Sequence, residues 1–212
     1  MKIRDKASKG IEEIRKEAKV LKGEASKDKL YATSRDFEDE DSALFEFSRC
    51  RDRLLNVNGW SRIPGIANST FELFNKEGER LSRDYVQKDD FIRIDLPGPL
   101  PFYWVKVAAL SQEPDLAEFT VQPTYDPTEK DDKSATDHFF QSKARSIFRV
   151  ERKGREITAM EIGIDEAINN NEDEAGGKGL TNTLVAEGGW AALQQYQWKN
   201  LTDYIVGLRL PS

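Results

Sequence analysis

The clearest hydrophobic pattern in this chain lies near its carboxyl end, between Trp190 and Leu208. Large apolar side chains recur there mostly three or four residues apart: Trp190, Leu193, Trp198, Leu201, Tyr204, Ile205 and Leu208. This spacing is typical of one face of an α-helix and predicts a long amphipathic helix. A face with two tryptophans is too large to leave in water, so we expect it to pack on an apolar surface of its own chain.

Shorter runs of alternating apolar and polar residues come before that helix and predict β-strands. They lie at residues 29–37, 71–73, 81–86, 91–96, 102–110, 116–125, 144–150 and 156–164. Turn sequences separate several of them, including Asn75 to Gly78 and the Lys153-Gly154 pair, where glycine suits a positive φ. The short spacing predicts an α+β fold in which six or seven strands form a curved antiparallel sheet packed on the long C-terminal helix.

One further helix is predicted between the first two strands. Apolar residues at helical spacing run from Leu44 to Leu55, and acidic residues just before them suit the positive end of a helix dipole. Asn56, Asn58 and Gly59 then supply a stop signal. Cys50, the single cysteine, falls inside this helix and is interpreted as a buried, unreactive thiol.

Charge separates the first residues from the rest. Residues 1–29 carry ten Lys/Arg and six Asp/Glu, a net charge of +4, which leaves −10 of the total of −6 for the remainder. A thin apolar stripe over residues 8–22 predicts a helix. We therefore divide the chain into a basic N-terminal helical extension, residues 1–28, and a single α+β domain, residues 29–212. The extension is either a solvated helix or a basic helix that docks on a protein partner, on a second copy or on the acidic domain of its own chain.

Composition narrows the functional classes. An acidic domain has no general attraction for nucleic acid. One cysteine excludes an internal disulfide and a thiolate zinc site, and no apolar run reaches the length of a membrane span. The free thiol and the lack of an apolar leader segment favour a cytoplasmic location. We expect neither a metal nor a cofactor.

The order of elements resembles the START-like or helix-grip (SRPBCC) superfamily over residues 29–209. The resemblance rests on the helix from Leu44 to Leu55, on Asn56-Val-Asn58-Gly-Trp60-Ser-Arg-Ile63-Pro-Gly65 after it, and on the final helix with Gly189-Trp190, Leu201 and Tyr204. Residues 1–28 lie outside it. It implies a sheet wrapped around the last helix with a cavity between them. Members bind lipids, sterols or polyketide-like molecules, and a minority are enzymes with no shared catalytic residue.

Candidate site residues follow from this picture. We expect a hydrophobic small molecule to bind without catalysis between sheet and helix, and the candidate ligand-binding residues are the aromatic Trp60, Phe91, Trp104, Phe140, Trp190 and Trp198. The same side chains would also suit a plain core. One alternative is an interaction module that uses the N-terminal helix and the loop from Pro97 to Pro101. A less favoured alternative is a cyclase or hydrolase in which His138, the only histidine, acts as general base.

Overall fold

A computed structural model describes residues 27–64, 69–96, 102–129, 142–166 and 190–210 of this chain. Within these ranges, seven strands form one sheet in which all neighbouring pairs are antiparallel, in the order β1-β7-β6-β5-β4-β3-β2. The strands are β1 (Lys27–Asp36), β2 (Thr70–Phe74), β3 (Phe91–Asp95), β4 (Phe102–Glu113), β5 (Leu116–Pro123), β6 (Arg145–Lys153) and β7 (Glu156–Glu166). The meander from β2 to β7 is thus completed by β1, which pairs with β7 at the opposite edge.

Three helices accompany the sheet in the described residues: α1 (Glu40–Leu55), α2 (Val57–Trp60) and α3 (Trp190–Ile205). Asp39 is the N-cap of α1, and its side chain accepts a hydrogen bond from the Ser42 N–H at 2.7 Å. Asn56 then joins α1 to α2. Its N–H donates to the Asp52 carbonyl at 3.0 Å, and its side chain caps α2 by accepting from the Gly59 N–H at 2.9 Å. Asn56 thus caps the end of α1 and the start of α2, which explains why the helix stops and the chain turns here.

All three helices cover one side of the sheet, which we call the inner face. The Trp60 ring of α2 lies 5.1 Å from the Phe148 ring of β6, and the Trp198 ring of α3 lies 5.4 Å from that same ring. Leu201 and Ile205 of α3 are completely buried in this core. The expectation of an α+β fold, with a curved antiparallel sheet packed on a C-terminal helix of its own chain, is confirmed.

A smaller aromatic cluster lies on the other side of the sheet, the outer face. Phe74, Phe91 and Trp104 are buried together, with Tyr125 packed against them. Edge-to-face contact joins Phe74 and Trp104, whose ring centroids are 4.9 Å apart. The strands β3 and β4 are therefore buried on both faces.

Two details differ from the sequence-based prediction. Residues 81–86 do not form the return strand after β2; β3 does, with Phe74 opposite Phe91. The 81–86 segment instead crosses the end of α1, where the Val86 N–H donates to the Leu55 carbonyl at 3.0 Å. The last helix ends at Ile205 and not near Leu208, with Gly207 at φ +79 just beyond it. The predicted N-terminal helix falls on residues outside the described ranges.

Candidate functional site

A mainly apolar cavity lies between the inner face and the helices α2 and α3. Its walls are mostly aromatic and aliphatic side chains, among them Trp60, Phe71, Tyr103, Val105, Val121, Phe148 and Trp198. Ser146, Gln194 and Gln197 supply polar groups. The interior in which the centre of a water molecule can lie has a volume of about 50 Å³, so the cavity holds more than a single water. The space therefore suits a slim molecule or a few waters.

Two glutamates are buried behind one side of this cavity. Glu161 and Glu166 of β7 are 0 % and 1 % exposed. Glu161 occupies an inward position because it follows Ile157 and Ala159 in the strand alternation, and both of those are fully buried. It lies opposite Phe148 in the register of β6 and β7, so its strand position adjoins the cavity wall.

Glu166 reaches the same side by a different route. Alternation alone would send it outward, but β7 has a bulge here: Gly163 pairs with Lys29, and Glu166 pairs with Lys27. Asp165 adopts a positive φ of 53 within the bulge. The result is that the Glu166 carboxylate folds back over Gly163.

Glu166 belongs to a connected polar cluster that reaches the cavity. The Gln194 Nε2 atom of α3 donates to its two carboxylate oxygens at 3.0 and 3.3 Å. Lys29 Nζ donates to Gln194 Oε1 at 2.5 Å and lies 3.4 Å from Glu166 Oε2. Burial raises the pKa of Glu166, while Lys29 and Gln194 oppose that rise. The cluster therefore joins β1, β7 and α3 through side-chain contacts. Because Gln194 also lines the cavity, this junction lies at the edge of the cavity.

The Glu161 carboxylate has fewer hydrogen-bond partners than that of Glu166. Neither of its carboxylate oxygens has a hydrogen-bond partner of good geometry among the described residues. Burial raises its pKa well above the usual 4.5, and the charge of Glu166 adds to the rise. The Ser146 hydroxyl and Lys29 oppose it without reversing it. Burial and these two carboxylates also raise the pKa of Tyr31 to about 12. Glu161 therefore keeps its proton to higher pH than an ordinary carboxyl.

The two tryptophans of the cavity wall differ in how their indole N–H groups are used. Trp60 Nε1 donates to the Arg53 carbonyl at 3.0 Å, so its hydrogen bond holds α2 against α1. Trp198 Nε1 is buried and has no hydrogen-bond partner in the part of the chain that the structure describes. The Trp198 ring packs on Phe148 and Phe71, 5.4 and 6.5 Å between centroids.

The predicted site residues fall into three groups. Trp60 and Trp198 come together on the cavity wall. Phe91 and Trp104 lie in the outer-face cluster, on the far side of the sheet from the cavity. The side chain of Trp190, together with Phe140, the candidate base His138 and the loop from Pro97 to Pro101, lies outside what the structure describes.

Glu161, Glu166 and Gln194 were not among the predicted site residues. The alternation of Ile157, Ala159 and Glu161 was a usable signal for Glu161, since it places a carboxyl on the apolar side of a strand. The position of Glu166 depends on a bulge that the pattern does not show.

The described residues also bear on metal binding, membrane spanning and thiol chemistry. No three or more His, Cys, Asp or Glu side chains in the described residues are grouped as a metal site would require. None of the described helices has both the length and the apolar character needed to cross a membrane. Cys50 is fully buried, and burial raises the pKa of its thiol although Arg53 lies beside it.

Comparison with known proteins gives a likeness of shape. No family model and no curated protein matches the chain. Among solved structures, a hypothetical protein from Helicobacter pylori is similar with a TM-score of 0.49 at 10% identity, over 88% of this chain and 92% of that one. Norcoclaurine synthase from Thalictrum flavum gives 0.37 at 10%, over 85% and 98%. Major latex-like protein 151 from Panax ginseng gives 0.37 at 13%, over 87% and 99%. At these values the likeness assigns no function.

Proposed function

We propose that this chain binds a small, largely apolar molecule in the cavity between the inner face of its sheet and α3. The observation that carries the proposal is the composition of the wall, in which aromatic and aliphatic side chains predominate and a few polar groups stand among them. Small-molecule sites are typically built in this way: apolar surface supplies affinity, and isolated polar groups orient the ligand.

The size of the free space limits the ligand. The volume open to the centre of a water molecule is only about 50 Å³. A flat aromatic ligand or a slim aliphatic ligand therefore fits better than a bulky one. A larger ligand requires α3 to move, and α3 is tied to β1 and β7 through Gln194, Lys29 and Glu166. That link favours a ligand that enters with little rearrangement.

A titration with and without a blocked cavity tests the proposal. Ala144 lines the cavity and is 2% exposed, so Ala144→Leu puts extra carbon atoms into the free space. Ala109 is exposed on β4, and Ala109→Leu is the matched control. Purified protein is titrated with ethylnaphthalene, a slim apolar fluorophore, and native mass spectrometry records any molecule that copurifies.

We expect ethylnaphthalene to bind the wild type and the Ala109→Leu variant with the same affinity. We expect Ala144→Leu to bind at least about tenfold more weakly, because a filled site must be strained to admit the ligand. Absence of binding to the wild type, or equal binding to all three proteins, contradicts the proposal. The alternative of an interaction module uses residues that the structure does not describe, and nothing observed favours it.

A further inference from the structure

We propose that the ligand of this cavity carries a neutral oxygen acceptor, such as a ketone carbonyl, and that the indole N–H of Trp198 is its hydrogen-bond donor. This inference rests on the proposed function and specifies the chemical class of the ligand. It starts from a buried donor on the wall of an apolar cavity that has no partner among the described residues.

An unused donor in such a place is costly. A buried N–H that has left water without gaining a partner costs about 1–3 kcal/mol. Trp60, the other tryptophan of the wall, has such a partner in the Arg53 carbonyl. Trp198 lacks such an acceptor, so an oxygen atom on a bound molecule would complete its hydrogen bonding.

The charges around the cavity favour a neutral acceptor over an anion. Arg145 also lines the cavity, but its Nη1 donates to the carbonyls of Ser142 and Ala144 at 2.8 and 2.7 Å. Lys29 is held by Gln194 and Glu166. Lys29 is thus paired with a carboxylate, and one nitrogen of Arg145 is engaged by backbone carbonyls. An anion in this apolar space would face a much larger desolvation penalty than a carbonyl does.

Gln194 does not replace Trp198 as the donor, because both ends of its amide are already in use. The Gln194 amide group donates to the Glu166 carboxylate, and its oxygen accepts from Lys29. The Gln197 oxygen accepts from the Ser69 hydroxyl at 3.4 Å. The Gln194 amide is thus held at both ends by its neighbours, whereas the Trp198 N–H is held in place by the packing of its ring on Phe148 and Phe71.

Three probes that share one aromatic body test this inference. They are ethylnaphthalene, acetylnaphthalene and naphthoate, which differ in having no oxygen, a neutral carbonyl and an anionic carboxylate. Affinities are measured for the wild type, Trp198→Phe and Trp104→Phe. Both substitutions remove an indole N–H that has no described partner, but Trp104 lies on the outer face. Trp104→Phe is therefore a chemically matched control away from the cavity.

We expect the wild type to bind acetylnaphthalene roughly three- to tenfold more tightly than ethylnaphthalene, the range of one hydrogen bond. Trp198→Phe should abolish that preference while ethylnaphthalene binding stays measurable, and Trp104→Phe should retain it. Naphthoate should bind more weakly than acetylnaphthalene.

Each other outcome has a defined meaning. Equal affinity for the ketone and the hydrocarbon overturns this inference and leaves the proposed function intact, since water then satisfies the donor as well as a ligand does. A preference that survives Trp198→Phe overturns it too, as does tighter binding of naphthoate. Failure of all three probes to bind the wild type overturns the proposed function itself.

Discussion

The carboxylate of Glu166 occupies the space in which a side chain at Gly163 would begin. An added Cβ at position 163 would overlap the Glu166 Oε1 atom. This relationship follows from the bulge of β7 and the positive φ of Asp165, which turn Glu166 back along its own strand. A glycine is needed here so that a carboxylate can lie flat on the inner face and meet Gln194 of α3.

Replacing that glycine should therefore loosen the polar cluster. We expect Gly163→Ala to lower the free energy of unfolding by about 1–3 kcal/mol, because Glu166 must leave its position and lose the Gln194 contact. Urea denaturation measures the change. If the overlap with the carboxylate is the cause, the same substitution made in a Glu166→Ala background should cost much less. An equal cost in both backgrounds would contradict this explanation.

The elements that the sequence predicts well are those whose signals are local. The acids before Leu44 predicted the start of α1, and Asp39 does cap it. The Lys153-Gly154 turn joins β6 and β7 with Gly154 at φ +60, as expected. Apolar residues at helical spacing predicted α3 and its packing on a sheet. In each case the determining residues lie within a few positions of each other.

Segment 81–86 shows where local patterns fail. Leu81 and Val86 suggested a strand, yet the segment is held by Asn58, whose side chain donates to the Leu81 and Arg83 carbonyls at 3.1 Å each. Those residues are 23 and 25 positions away along the chain. A contact of that kind depends on the folded arrangement of α2 and cannot be read from the pattern.

The candidate site was predictable only in part for a similar reason. Alternation in β4 points Tyr103 and Val105 to one face of the sheet and Trp104 to the other, but all three side chains are buried. Since both faces of this strand are covered, hydrophobicity does not tell which face meets the helices. By pattern alone, Trp104 and Phe91 are therefore as suitable for a cavity wall as Trp60 and Trp198, and the fold places the two pairs on different sides of the sheet.

Asn58 should contribute to stability more than its polar side chain suggests. Besides its two donated bonds, its oxygen accepts from the Leu73 N–H at 3.0 Å, so it joins α2, β2 and segment 81–86. We expect Asn58→Ala to lower the free energy of unfolding by about 2–3 kcal/mol, from three hydrogen bonds. Asn75→Ala is the control, because the Asn75 side chain also makes three hydrogen bonds but in an exposed turn, where water replaces them at lower cost. Similar losses in the two variants, measured by urea denaturation, would refute the assignment.

Lys29 should stabilise the fold mainly by its charge interaction with the Glu166 carboxylate. Lys29→Met removes the cation next to a carboxylate that is almost fully buried, and we expect a loss of about 2–4 kcal/mol in thermal or urea denaturation. The double variant Lys29→Met/Glu166→Gln should recover most of that loss, because an uncharged amide needs no cation. If the double variant is no more stable than Lys29→Met alone, the lost stability comes from packing of the lysine chain and the electrostatic account is wrong.

Glu161 should make the protein less stable as pH rises. Burial raises its pKa in the folded chain above the ordinary 4.5 of the unfolded chain. The folded form therefore holds the proton longer, so the stability this group contributes is complete below about 4.5 and is lost as the pH rises toward the folded pKa. Each unit by which the folded and unfolded pKa values differ changes the free energy of unfolding by about 1.4 kcal/mol. Glu161→Gln cannot ionise and should weaken this pH dependence.

The measurement is the free energy of unfolding of both proteins from pH 4.5 to pH 8. The advantage of Glu161→Gln over the wild type should grow with pH across that range. Part of the slope should remain, since the pKa of Glu166 is raised as well and acts with the same sign. Glu156→Gln, at an exposed position of the same strand, is the control and should follow the wild type. A Glu161→Gln curve parallel to the wild type would show that Glu161 stays ionised in the folded chain, with a partner that satisfies its charge.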